Sequence, residues 1–136
     1  MPDGRPGFDD WALALAAAVA TRGDCRRKQV GAVILDPLHR VVSTGYNGSP
    51  PGGPSCLAGE CPRAATDVEP GSSYDTGPGA CVALHAEQNA IIWADPARLP
   101  GATIYVTCEP CQGCARMIAG SGITRTIWGE PGQAGS

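Results

Sequence analysis
Apolar residues recur at three- and four-residue intervals near the start of the chain, at Phe8, Trp11, Ala12, Leu15, Ala16 and Val19. Asp9 and Asp10 suit the positive end of a helix. Together they predict an amphipathic helix over roughly 9–22, covering one face of a sheet. The pattern then changes period. Val30 to Leu35 is a short apolar run, Asp36-Pro37-Leu38-His39 is a turn, and Arg40 to Tyr46 returns, which together read as a β-hairpin. A second helix is expected over Ala83–Ala94, stopped by Pro96. Ala102–Thr107 reads as a strand, Cys111–Gly120 as a third helix and Ile123–Trp128 as a last strand. The order αββ then αβαβ predicts a sheet with helices on its faces and parallel late strands. Between these elements lies Asn47–Ala80, a long aperiodic stretch rich in Gly, Pro, Ser and Cys. Gly129–Ser136 reads as a loose tail.

Composition narrows this picture. With 136 residues, 43% of them hydrophobic, a single compact domain over 1–136 is the expectation. There are 19 glycines and 13 prolines, nearly a quarter of the chain. That is just under the ~25–30% at which disorder becomes the reading, so the 47–80 loop needs a pin. Ten basic against 13 acidic side chains give a formal charge of -3, which offers no basic footprint for duplex nucleic acid. The apolar stretch Trp11–Ala20 is far short of the ~20 residues that cross a bilayer. The N-terminus carries more acid than base, unlike a secretory signal, so a cytoplasmic protein is expected. In that compartment an odd count of seven cysteines points to metal ligands or reactive thiols.

Two short motifs carry the candidate chemistry, His85-Ala86-Glu87 and Pro110-Cys111-Gln112-Gly113-Cys114. Cys-x-x-Cys spacing lets both thiolates reach one ion, and a helix's first turn is expected to lower their pKa values. Pro110 suits a first helical position, which needs no backbone donor. One His and two Cys leave a fourth tetrahedral position for water, the arrangement of a catalytic zinc. Glu87 is then the acid and base, not a ligand. Taken singly, His85 reads as a packing histidine, the cysteines as a zinc knuckle or redox pair, and Glu87 as a solvated helix residue. Joined, they form the H-x-E…P-C-x-x-C pattern described for zinc nucleobase deaminases.

The sequence resembles the cytidine and deoxycytidylate deaminase superfamily, and within it the bacterial and phage deoxycytidylate deaminases. The resemblance covers most of the chain: Cys25-Arg-Arg-Lys-Gln-Val-Gly-Ala-Val33, Gly45-Tyr-Asn-Gly48 with Pro51-Gly52-Gly53 following, His85-Ala-Glu-Gln-Asn-Ala-Ile91 and Pro110–Cys114. It implies a three-layer α/β/α fold with a mixed sheet of four to five strands. The activity it implies is zinc-dependent hydrolysis of dCMP to dUMP and ammonia. Asn47 would contact the sugar, with a simple turn after the strand as the alternative. Arg27, Arg26 and Lys28 would meet the phosphate, or be a solvated charge run. The resemblance also suggests a homo-oligomer, with possible regulation by dCTP and dTTP. Family members usually add a fifth strand and a terminal helix, so an edge of the sheet is expected to be bare. Glu109-Pro110-Cys111 looks more like tRNA adenosine and guanine deaminases than the Phe-Pro-Cys of deoxycytidylate enzymes. Alternatives are thus a deaminase of cytidine, deoxycytidine, cytosine or guanine, a tRNA adenosine deaminase, and a non-catalytic zinc-stabilised module. The low charge weighs against tRNA.

Some phage relatives hold a second, structural zinc with cysteines at the positions of Cys25 and Cys56. Here Cys61 lies in the same loop, and Cys81 stands four residues ahead of His85. A four-thiolate site of Cys25, Cys56, Cys61 and Cys81 would supply the pin for the 47–80 loop. The alternative is a set of buried free thiols. Cys108 reads as a small buried residue.

Overall fold
A computed structural model describes residues 3–25, 27–59 and 83–135. Its elements are α1 (Phe8–Ala20), β1 (Gly31–Leu35), β2 (Val41–Tyr46), α2 (Ala86–Ile92), a 3-10 turn (Pro96–Arg98), β3 (Thr103–Val106), α3 (Gln112–Gly120) and β4 (Arg125–Trp128). The strands form one sheet in the order β2-β1-β3-β4. β1 is antiparallel to both β2 and β3, whereas β3 and β4 are parallel, joined through α3. The sheet is therefore mixed, with four strands among the described residues.

β1 is buried along its whole length because it is covered on both faces. Its side chains alternate between them. Ala32 and Ile34 join Ala86 and Ala90 of α2, Ile104 and Val106 of β3, and Ile118 of α3 in one core layer. Val33 and Leu35 join Ala12, Leu13 and Ala16 of α1, with Tyr105 and Ile127, in the other. The expected three-layer α/β/α arrangement is what forms.

Two glycines set the spacing of the layers. A Cβ on Gly31 would lie 2.1 Å from the Ala16 carbonyl oxygen, and one on Gly45 would lie 2.4 Å from Ala86 O and Ala90 N. Neither strand can carry a side chain at these crossings. Close approach at Gly31 also explains how α1 is turned. Small residues face inward, with Ala12, Leu13, Ala16 and Ala20 buried, while Phe8 and Trp11 are 53% and 37% exposed. The predicted apolar stripe placed Phe8 and Trp11 inside. Instead Phe8 stacks on His39, with ring centroids 3.8 Å apart.

One polar cluster fastens α1 to the sheet. The Tyr105 hydroxyl donates to Asp9 Oδ1 at 2.6 Å, and Arg125 Nη2 donates to Asp9 Oδ2 at 3.0 Å. The Tyr105 bond is the main reason that the Asp9 carboxyl sits below its ordinary value. Burial and the same bond push the Tyr105 hydroxyl up to about 12. The residues after β4 are also placed, in contrast to the expected loose tail. Gly135 and Trp128 exchange two backbone bonds of 2.8 and 2.9 Å, and Gly132 N donates to Asp10 Oδ1 at 2.7 Å.

Gly45→Ala is expected to cost about 1–3 kcal/mol in urea unfolding, because the methyl meets backbone that cannot swing aside. Tyr105→Phe is expected to cost about 1.5 kcal/mol, the lower end for a hydrogen bond to a charged group. Its pH dependence follows from the two shifts. Asp9 is lowered, so its share is present above 3.8 and lost as pH falls through the folded value. Tyr105 is raised, so its share is present below 10.0 and lost as pH rises through about 12. The wild-type minus Tyr105→Phe difference in stability should thus be flat near neutrality and shrink at both ends.

Candidate metal centre
The C-terminal end of β3 runs straight into Thr107-Cys108-Glu109-Pro110, and this turn delivers Cys111 as the N-cap of α3. The Cys114 backbone N–H donates to the Cys111 sulfur at 3.4 Å. α3 begins at Gln112, so Pro110 stands one residue ahead of the cap and not inside the first turn as expected. His85 likewise caps α2, which is shorter than the predicted Ala83–Ala94. Its backbone N–H donates to Gln88 Oε1 at 2.7 Å. A polar side chain three residues into the helix is thus what fixes the histidine's backbone, a reciprocal capping pattern readable in His-x-x-Gln. On the other side of His85, Leu84 and Gly48 exchange backbone bonds of 2.7 and 3.0 Å, tying the approach to α2 to the chain leaving β2.

Two helix N-termini thereby meet. His85 Nδ1 lies 3.2 Å from Cys114 Sγ and 3.6 Å from Cys111 Sγ, and the three donor atoms all fall within 4.8 Å of one another. Among the described residues this is the group of at least three such side chains that could hold a metal ion. Zn–N and Zn–S bonds of about 2.0–2.1 and 2.3 Å at tetrahedral angles separate N and S by about 3.6 Å, so the set fits zinc. Cys111 is exposed, Cys114 buried, and Glu87 only 4% exposed.

The electrostatics of Cys114 reverse one expectation. Burial, with the Glu87 carboxylate and the Cys111 sulfur beside it, holds its thiol well above the usual range. The helix N-terminus does not win. A dication is what would reconcile a buried carboxylate with two thiolates, since metal ligation takes the thiols deprotonated.

The chain matches the family model "Cytidine and deoxycytidylate deaminase zinc-binding region" over residues 7–130. The chain belongs to that family. It is 47% identical over 125 residues to the deoxycytidylate deaminase of Mycobacterium phage D29, covering 91% of this chain and 95% of the phage enzyme. It is 35% identical over 127 residues to the Saccharomyces cerevisiae deoxycytidylate deaminase, covering 93% of this chain but 38% of the yeast protein. Among solved structures, the cyanophage S-TIM5 dCMP deaminase in complex with dCMP and dUMP superposes with a TM-score of 0.65 at 26% identity, covering 91% and 82% of the two chains. These family members are zinc-binding deaminases, and the His/Cys/Cys cluster is consistent with a zinc cofactor.

The other predicted residues are placed less directly. Asn47 leaves β2 with its side chain already engaged, because Oδ1 accepts from Val30 N at 2.9 Å and Nδ2 donates to the Lys28 carbonyl at 2.8 Å. One lone pair and one N–H of the amide remain. Arg27 and Lys28 are exposed on the segment that Asn47 holds. Arg26, Cys61 and Cys81 lie outside the described residues. Cys25 is half-buried and Cys56 buried. They sit on adjoining segments, since Asp24 accepts bonds from Ser55 and Leu57. Cys108 is half-buried, less enclosed than expected. Asp24, Gln88 and the Gly48–Leu84 bridge are site-building features that the motifs alone did not reveal. For Asp24 the available signal was an aspartate next to a glycine at the end of a helix, a residue that readily binds nearby backbone N–H groups.

Proposed function
We propose that this chain hydrolyses dCMP to dUMP and ammonia, with zinc held by His85, Cys111 and Cys114 and with Glu87 as the proton carrier. The observation that carries the reading is the buried Glu87 carboxylate set beside a three-donor metal cluster. A purely structural site has no use for a fourth, unligated acid there. The resemblance to phage enzymes named for this substrate supports the same conclusion. It also favours the nucleotide over a free base despite the Glu109-Pro110 pair.

Zinc at this site supplies a water molecule whose pKa is lowered toward neutrality. Glu87 would serve as the proton carrier, taking a proton from water and passing it to N3 of the cytosine ring as the water's oxygen adds at C4. It would then take the second proton, from the hydroxyl now on C4, and deliver it to the exocyclic nitrogen, so that the C4 carbonyl forms as the C4–N bond breaks and ammonia leaves. Burial serves this cycle because a carboxylate shut away from bulk water exchanges protons with the substrate and not with solvent. On this reading Asn47 would offer its remaining amide groups to the deoxyribose, and Arg27, with Arg26 and Lys28, would meet the phosphate. The same reading makes residues 1–136 a single deaminase domain, working as a cytoplasmic homo-oligomer. Regulation by dCTP and dTTP belongs to it as well.

A second ion is part of this proposal. Cys25 and Cys56 stand on segments already joined through Asp24. With Cys61 and Cys81 they would form a closed thiolate site.

Zinc-loaded protein should release ammonia from dCMP far faster than from CMP, deoxycytidine, cytosine or guanine. Glu87→Ala should lose at least about 10²–10⁴-fold in turnover, the range for a general acid–base group, while keeping its catalytic zinc. Activity confined to a nucleoside or base would move the chain to another branch of the family, and loss of that zinc would make Glu87 a ligand. Metal analysis tests the second site separately. Two zinc ions per chain falling to one in Cys56→Ser is the expected result, and one ion unchanged by that substitution would remove the second site.

A further inference from the structure
A single carboxylate joins the chain before β1 to the loop after β2. Asp24 N donates to the Asn47 carbonyl at 2.8 Å. Its Oδ1 accepts two bonds, from Ser55 Oγ at 3.0 Å and from Leu57 N at 2.8 Å. Ser55 Oγ in turn accepts from Ala58 N at 3.2 Å, and Gly59 N donates to the Cys56 carbonyl at 2.9 Å. Residues 55–59 are thus a turn whose first side chain rests on Asp24. The contact is close on the other side too. A Cβ on Gly23 would lie 2.5 Å from Asn47 Oδ1, and one on Gly48 would lie 3.6 Å from Asp24 Cβ. Gly48 is bonded to Leu84, the residue before His85. Hydrogen bonds therefore link the 55–59 turn through Asp24 to the Asn47–Gly48 segment, and Gly48 to Leu84, the residue before the histidine that caps α2.

We propose that Asp24 is a positioning residue for substrate binding, acting through Asn47 and the 55–59 turn. It is not a catalytic residue, and it rests on the reading of Asn47 and the neighbouring basic residues as the nucleotide's contacts. One oxygen that accepts both a hydroxyl and a backbone N–H fixes the turn in direction as well as distance, and bonds to an ionised acceptor are the stronger kind. Through-space charge predicts the opposite behaviour. A negative group two to four residues from the cations that would meet a phosphate opposes an anionic substrate, so removing it would tighten binding if charge alone mattered. Positioning predicts that removing the acceptor loosens binding, and that an uncharged acceptor restores it.

Steady-state kinetics of the zinc-loaded full chain on dCMP separate these outcomes. Asp24→Ala should raise KM about tenfold with kcat within about twofold, the pattern of lost binding without lost chemistry. Asp24→Asn, whose amide oxygen still accepts both donors, should stay within about twofold of wild type in both constants. A lower KM in both variants would show a charge effect and overturn the proposal. An unchanged KM with lower kcat and a lower melting temperature would reduce Asp24 to a structural brace and overturn it as well. Where Asp24→Ala does not fold, Ser55→Ala removes one of the two donors and should raise KM by about threefold. Silence of the wild type on dCMP is a failure of the substrate reading alone. The same comparison on whichever of deoxycytidine, cytidine, cytosine or guanine it turns over then decides the Asp24 proposal by the same split.

Discussion
Everything at the candidate metal centre follows from placing a buried carboxylate against the Cys114 sulfur, with that of Cys111 beside it. Glu87 is almost wholly enclosed, and together with burial it holds the Cys114 thiol far above its ordinary range. A cluster of this kind is poorly stable as a set of bare ions, because each added negative charge in a low-dielectric setting raises the cost of the next. A divalent cation inverts that balance. At this site it would take Cys111 and Cys114 as deprotonated ligands, with the Glu87 carboxylate beside them. Metal affinity, thiol ionisation and the position of Glu87 are in this sense one property and not three.

Such a cluster demands that α2 and α3 keep their N-termini together at the end of β3. The fold meets that demand through backbone packing more than through side chains. Gly45 lets β2 press against Ala86 and Ala90, so the start of α2 has no freedom to slide along the sheet. Gln88 holds the His85 N–H, and the Gly48–Leu84 bridge holds the residue before it. On the far face, Gly31 brings α1 equally close to β1. Alanines dominate both crossings because nothing larger fits between surfaces set that near.

These close crossings explain what the sequence made legible and what it did not. The three candidate metal donors were legible in His85 and Cys111-Gln112-Gly113-Cys114, which the fold brings within 4.8 Å of one another, since the spacing of two cysteines on one helix turn is a local property. The strands were equally plain, because β1 is a continuous apolar run and β3 and β4 are short β-rich segments between turns. The inward face of α1 was misjudged for a non-local reason. Periodicity ranks residues by size and apolarity, and so put Phe8 and Trp11 inside. The partner strand presents a glycine and accepts only alanine, which turns the larger rings outward. The fall in thiol pKa expected from a helix N-terminus is not what Cys114 shows, because burial comes first and the Glu87 carboxylate, from a different helix, adds to it. Helix lengths were overstated at α2 for the same kind of reason: His85 is extended as a cap, and the residues before it are drawn into a bridge with Gly48.

The distribution of charge bears on how a nucleotide could reach this centre. The whole chain carries a formal charge of -3, so an anionic substrate gains nothing from the protein's average field. Attraction has to be local. The segment between Cys25 and Val30 concentrates Arg26, Arg27 and Lys28, and Asn47 fastens its backbone at Lys28 and Val30 to the end of β2. An amide used this way fastens the backbone at Lys28 and Val30 to the chain leaving β2, which Gly48 joins to Leu84. The loss of amide capacity is small, since Asn47 still has a donor and an acceptor to offer. The asparagine proposed for the sugar is therefore also the residue that holds the backbone of the segment proposed for the phosphate, and in that proposal the two roles would share a single side chain.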